Sequence, residues 1–185
     1  MKILRPSSHP APAPSRALPA AALATIVGSL FALMPVASNA NTDADPAMTN
    51  VVALAARRLA LAEPVAKWKW AHHRPIQDAP REQALMSDIT QRAVRHGIDE
   101  DFARQFFEDQ MAAGEQLQAA LCAQWRDAPP DGPGPDLAKV TQPQLDALDA
   151  TLLPALARVQ ARRGTPDCPI RVARALVRLE NDDGL

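Results

Sequence analysis

The chain has 185 residues, 47% hydrophobic and 22% charged, enough for one globular domain with its own core. Aromatic residues make up 4% and Tyr is absent, while Ala, Leu, Arg, Glu and Gln abound, a balance that favours helix over sheet. A formal net charge of −1 excludes the bulk positive field on which nucleic-acid binding draws, so any anion site has to be built locally from particular cations.

Residues 1–40 differ from the rest. Lys2, Arg5 and Arg16 are the only charges before Asp43, an apolar run from Leu18 to Val36 follows, and Ser38-Asn39-Ala40 sets small residues at the −3 and −1 positions of a cleavage site. This is the pattern of an export signal cut after Ala40, leaving 41–185 as the mature domain, periplasmic or secreted. The apolar run is close to the roughly 20 residues that span a bilayer, so an uncleaved anchor is the competing reading; once cleaved, the chain keeps no membrane segment. No twin-arginine pair precedes the run, which points to the general secretory route. Of the 20 Lys and Arg, three lie in 1–40; the 17 that remain face 21 Asp and Glu, a mature net charge of −4.

The first predicted helix is capped by Asn50 and runs over 51–72, with Leu54, Leu59, Leu61, Val65 and Trp68 on its apolar side. Pro64 predicts a kink rather than an end, because helical patterning resumes at once. Arg74-Pro75 is a break. A second helix opens at Asp78 with Pro80 in its first turn, continues through Leu85, Met86, Ile89 and Ala93, and stops at His96-Gly97-Ile98. Asp99 caps a third, with Glu100 and Asp101 at its positive end, running to about Arg126. Ala128 to Pro135 holds four prolines and two glycines and reads as a loop. A fourth helix starts near Thr141, carries Leu145, Leu148, Leu152, Leu156 and Val159 at spacings of three and four, bends at Pro154 and stops at Gly164. Asp167 caps a last helix, Cys168 to Leu179, before a polar tail. No segment alternates like a strand, so the expected fold is all-α, a single-domain bundle of about five helices. Cys122 and Cys168 could pair in an exported protein, or Cys122 could be a buried small hydrophobe. Two cysteines so far apart do not suggest zinc.

The candidate chemistry sits around Lys69 to Glu82. Arg58 stands eleven residues before Lys69, about 1100° of helix, so both share a face with Ala62, Val65 and, to one side, Leu61. They could be two solvated cations, but cations on a small, apolar face need a partner. Asp78 could be an ordinary N-cap, with Arg81 and Glu82 ordinary first-turn residues; Arg81, however, opposes the helix dipole, which a bound carboxylate would repair. Gln110, Gly114 and Gln118 form a stripe inside the buried arc of Phe106, Phe107, Met111, Leu117 and Leu121. Those amides could form a core network, or Gln118 could be a neutral donor aimed at a ligand for which Gly114 leaves room. His72 and His73 are adjacent in a turn and cannot share a face as metal-binding pairs do; they read as exposed. Trp68, Trp70 and Trp125 read as packing. Nothing suggests a nucleophile or a phosphate loop.

Arg58, Lys69, then Arg-Pro-Ile-Gln-Asp78-Ala-Pro-Arg81-Glu82, then Gln118 on a later helix, resembles the all-helical chorismate mutases of the AroQ class. The leader, Leu-Ala-Glu-Pro-Val-Ala-Lys-Trp-Lys-Trp and Phe-Phe-Glu-Asp-Gln-Met look like the exported, gamma subclass. The likeness is close over residues 50–126 and looser over 135–160. It implies a pericyclic rearrangement of chorismate to prephenate with no cofactor, metal or covalent intermediate, in a homodimer whose sites lie each within one chain. It also implies roles. Arg58 pairs with one substrate carboxylate, Lys69 meets the ether oxygen and the other carboxylate, and Gln118 is the second donor to that oxygen. Asp78 and Glu82 bind the substrate hydroxyl or orient neighbours, and Arg81 holds the helix start. Two positions depart from the pattern. Gly114 stands where the family often has a hydroxyl residue, and in Leu137-Ala-Lys-Val-Thr-Gln142-Pro143, Gln142 stands where the exported subclass has an arginine, which keeps a donor and drops a charge. The rival class is a periplasmic helical binding or interaction module, including a mutase-like protein without activity.

Overall fold

A computed structural model describes residues 45–183, with side chains to 181; the expected leader and its cleavage site lie outside the described residues. Every regular element among the described residues is helical: α1 (Pro46–Ala60), α2 (Ala62–Ala71), α3 (Ala79–Arg95), α4 (Glu100–Gln124), α5 (Gln142–Val159) and α6 (Cys168–Asp183). A single π-helical turn, Leu137–Thr141, precedes α5 and a 3₁₀ turn, Gln160–Arg162, follows it. Since α1 and α2 are the expected first helix broken once, the architecture is the predicted five-helix bundle. None of these helices is long and apolar enough to cross a membrane.

Two boundaries differ from the sequence reading. The first helix starts at Pro46, not after Asn50, because Asp45 caps it by accepting from the Ala47 amide at 3.0 Å and Pro46 takes the position where no amide hydrogen is needed. It also breaks at Leu61 instead of bending at Pro64. Pro64 has no N–H for the Ala60 carbonyl four residues back and its ring crowds that carbonyl, so the discontinuity falls a turn upstream. The α3 stop is as expected: Gly97 has φ +65°, and the Ile98 and Gly97 amides close back onto Ala93 and Val94 at 2.9 and 3.1 Å. Helix α6 runs past Leu179 to Asp183, through the start of the expected tail.

Helix α1 packs against α5 and α6, and α4 packs against α2 and α3. Phe107, Ile89, Leu152, Leu153 and Leu156 are fully buried where these helices meet. Cys122 and Cys168 are both free thiols. Trp70 meets Trp125 edge-on at 5.9 Å, His72 stacks on Trp68 at 4.2 Å, and both adjacent histidines are exposed.

The proline-rich loop is fastened to α2 at one point. Gly134 has φ +74°, and a Cβ there would lie 2.8 Å from Lys67 Cβ and 3.3 Å from the Pro64 carbonyl. Gly134→Ala therefore meets both a left-handed backbone penalty and a clash, and should destabilise the domain by about 2–4 kcal/mol. A urea midpoint equal to wild type would show that the loop is not held there.

Candidate active site

One cleft enclosing about 740 Å³, including its open mouth, lies between α1, α2, α3, α4 and α5. Arg58 and Lys69 reach it from α1 and α2, Asp78, Arg81 and Glu82 from the start of α3, Gln118 and Gly114 from α4, and Gln142 from α5. Every site residue expected from the sequence thus borders a single space, although Arg58 and Gln142 are 84 positions apart. Gln110, Glu115 and Asp149 also line it.

Arg58 is buried, and its Nε donates to Asp149 Oδ1 at 2.7 Å. The guanidinium carbon stands 5.9 Å from the centre of the Phe107 ring. Among the described residues no hydrogen bond engages Arg58 Nη1 or Nη2. Burial raises the Asp149 carboxyl above its ordinary value, against the pull of Arg58. A carboxyl whose folded pKa is raised opposes folding when ionised: through this group, stability is fullest below the ordinary value of 3.8 and declines as pH rises through the raised one.

Lys69 is half-buried, and its ammonium donates to the Ile76 carbonyl. Burial lowers its pKa, while Asp78, Glu82 and Glu115 pull it back up. The ionised form of Lys69 is thus also a burden on the empty fold, and it yields its proton more readily than an ordinary lysine.

Asp78 and Glu82 satisfy each other's helix end. The Asp78 side chain accepts from the Arg81 amide at 3.4 Å, and Glu82 Oε1 accepts from the Asp78 amide at 2.7 Å. The structural reading of both as caps is therefore present in full, and it coexists with their place on the cleft wall. The turn before them is tied across to α4, where Gln77 donates to Glu115 at 3.4 Å.

Gln118 is 8% exposed, yet its Oε1 has no partner, and no hydrogen bond among the described residues engages its amide. Gln110 Oε1 is orphaned in the same way. A core amide network is thus not what these side chains form; buried amides left open on a cleft wall await a ligand or water. Gly114 has nothing within 4 Å of where a Cβ would stand, so it leaves open space as expected.

Gln142 departs from expectation. Its Nε2 donates to Asp146 at 2.6 Å and its buried Oε1 has no partner. Asp146, one turn along α5, can only accept when ionised, so it captures the amide nitrogen. One N–H of the amide that was to replace the arginine is already engaged, and the open oxygen is an acceptor. Three cations (Arg58, Lys69, Arg81) consequently face four carboxylates (Asp78, Glu82, Glu115, Asp149) around the cleft among the described residues.

A helical bundle whose interior cleft holds an arginine fork, a lysine and open amides is, by fold and site, a protein for a small carboxylate-bearing ligand. The model of the type II chorismate mutases matches residues 49–119, a span that holds Arg58, Lys69, Asp78, Arg81, Glu82 and Gln118. The chain is 34% identical over 136 residues to a secreted chorismate mutase of Mycolicibacterium smegmatis, covering 72% of this chain and 74% of that one. Its fold is similar to the crystal structure of chorismate mutase from Burkholderia thailandensis, with 55% identity, a TM-score of 0.72, and coverage of 74% of this chain and 87% of the other. A second crystal structure, of chorismate mutase from Burkholderia phymatum, is 32% identical with a TM-score of 0.70 and covers 75% and 86%. The chain belongs to the chorismate mutase type II family, as an all-helical member of it.

Proposed function

We propose that the protein is an exported chorismate mutase, of the gamma subclass, that rearranges chorismate to prephenate. The observation that supports this most directly is the convergence of Arg58, Lys69, Asp78, Glu82 and Gln118 on one cleft in a chain of this family. Export is supported by the leader pattern and by relatives named secreted chorismate mutases.

The reaction breaks a C–O bond while a C–C bond forms, within one molecule. Catalysis has to fold a flexible dicarboxylate into a compact chair and stabilise the negative charge that grows on the ether oxygen. The open fork of Arg58 suits one carboxylate in bidentate fashion. Lys69 leaves the Ile76 carbonyl for the ether oxygen, and its lowered pKa makes it the stronger donor. The Gln118 amide, held by no protein partner, turns its N–H₂ to the same oxygen. Glu82, held by the Asp78 amide, and Asp78, held by the Arg81 amide, offer acceptors for the substrate hydroxyl. Two donors at about 2.7–4 kcal/mol each, with orientation added, reach the roughly 8 kcal/mol of a millionfold acceleration. The subclass further implies a homodimer with each site inside one chain.

The test is loss of chorismate absorbance on adding the purified mature domain. Turnover is expected, with a high KM, because the arginine place is held by an engaged glutamine. Gln142→Arg should lower KM about tenfold, the worth of one charge-assisted hydrogen bond. No turnover by either protein sinks the enzyme reading. The uncharged Gln142 in the arginine place favours, as second reading, a mutase-like module that binds without turnover; heat of chorismate binding in the absence of turnover would select it.

A further inference from the structure

Asp149 carries a carboxylate that the proposed reaction does not use. It is 2% exposed, on α5 among the buried Leu148, Leu152 and Leu153. If the fold alone were served, an apolar pair in place of both Arg58 and Asp149 would do as well or better, because replacing a whole buried ion pair by apolar groups is often neutral or stabilising. Burial also raises the Asp149 pKa, and the charge and hydrogen bond of Arg58 work against that rise.

Its contact with Arg58 is specific. Asp149 Oδ1 takes the inner nitrogen, Nε, at 2.7 Å, and Phe107 lies against the guanidinium at 5.9 Å. One edge and one face of the group are thereby fixed. The two terminal nitrogens, the pair that matches a carboxylate in parallel, are left without a partner among the described residues at the wall of the cleft.

We propose that Asp149 is a positioning residue: by holding Arg58 Nε it sets the plane of the guanidinium and presents the terminal fork, already ordered, to a substrate carboxylate. The proposal rests on the chorismate mutase reading for the identity of that carboxylate. Preordering matters because an unheld arginine has to be immobilised by the ligand itself, and that cost reduces affinity.

The sign of the effect separates positioning from simple charge. Removing a carboxylate beside a dianion should by itself tighten binding, whereas losing the hold on Arg58 weakens it. Asp149→Ala, which leaves no acceptor for Nε, is therefore expected to raise KM for chorismate about three- to tenfold, the worth of one ordered side chain, with a smaller change in kcat. An unchanged or lower KM overturns the proposal. In an Arg58→Ala background the same change should add no further loss, because Asp149 acts through Arg58; an equal loss in both backgrounds makes Asp149 merely structural. A third readout needs no substrate. Wild type should show a slowly exchanging arginine Nε–H resonance that disappears in Arg58→Ala and in Asp149→Ala, and its persistence in Asp149→Ala overturns the proposal even if that variant is less stable. Absence of turnover in wild type would sink the functional reading alone, since the Nε–H signal still decides whether Asp149 orders Arg58.

Discussion

Lys69→Ala should lower kcat about 10²–10³-fold, the effect of removing one preorganised donor to a developing oxyanion, and leave the bundle folded. The fold should tolerate the change because the buried ammonium of Lys69 is itself a burden: burial lowers its pKa, and its one hydrogen bond goes to the backbone carbonyl of Ile76. Alanine keeps the helix and removes the penalty of a half-buried charge. Steady-state kinetics with a thermal melt check both halves. Turnover near wild type would show that Lys69 only fastens the turn at Ile76. The same lowered pKa predicts the alkaline limb of the wild-type profile. The donor is lost as pH rises through the Lys69 pKa of the free enzyme, so kcat/KM should fall at a lower pH than a lysine at 10.5 would give.

Gln118→Leu should cost about 10²-fold in kcat with little change in KM, because the amide is required only as charge develops on the ether oxygen. Leucine fills the site and removes a buried amide that has no partner in the empty protein, so the folded state should be as stable or slightly more stable. Gln118→Glu supplies the complementary check. A glutamate there donates only when protonated, so that variant should gain activity as pH falls, a rise that wild type cannot owe to residue 118. An unchanged kcat in the leucine variant would show that the Gln118 amide takes no part in the reaction.

The near half of the cleft was legible because its logic is local. Eleven residues of helix put Arg58 and Lys69 on one face, and Asp78-Ala-Pro-Arg81-Glu82 announces a capped helix start. Asp149 and Glu115 escaped notice because their partners are distant. Arg58 and Asp149 are 91 residues apart, and only tertiary packing makes them a pair. A signal did exist: a carboxylate beside Leu148 and before Leu152, inside an apolar stripe, is a charge that needs an explanation. Asp45-Pro46 was likewise a readable cap and first turn, overlooked because the segment looks polar and short. The Gln142–Asp146 bond was within reach of an i, i+4 argument; the expected role for Gln142 considered only what it could donate, and not what would claim the donor first.

The close approach of Gly134 to α2 bears on how such sequences can vary in length. Upstream of it, Gly132 has open space where a Cβ would stand, and an added residue there can be absorbed as slack. Between Gly134 and Gln142 there is none to spare: the backbone is pinned to Lys67 at one end, and the wide turn Leu137–Thr141, which packs on α2, leads directly into α5 at the other. A single insertion propagated into α5 would rotate the side chains that follow by about 100°, carrying Gln142 and Asp149 off the cleft together. Insertions and deletions in descendants of this chain should therefore collect before Gly134, and substitutions, rather than changes of length, should be the route by which the far wall of the cleft evolves.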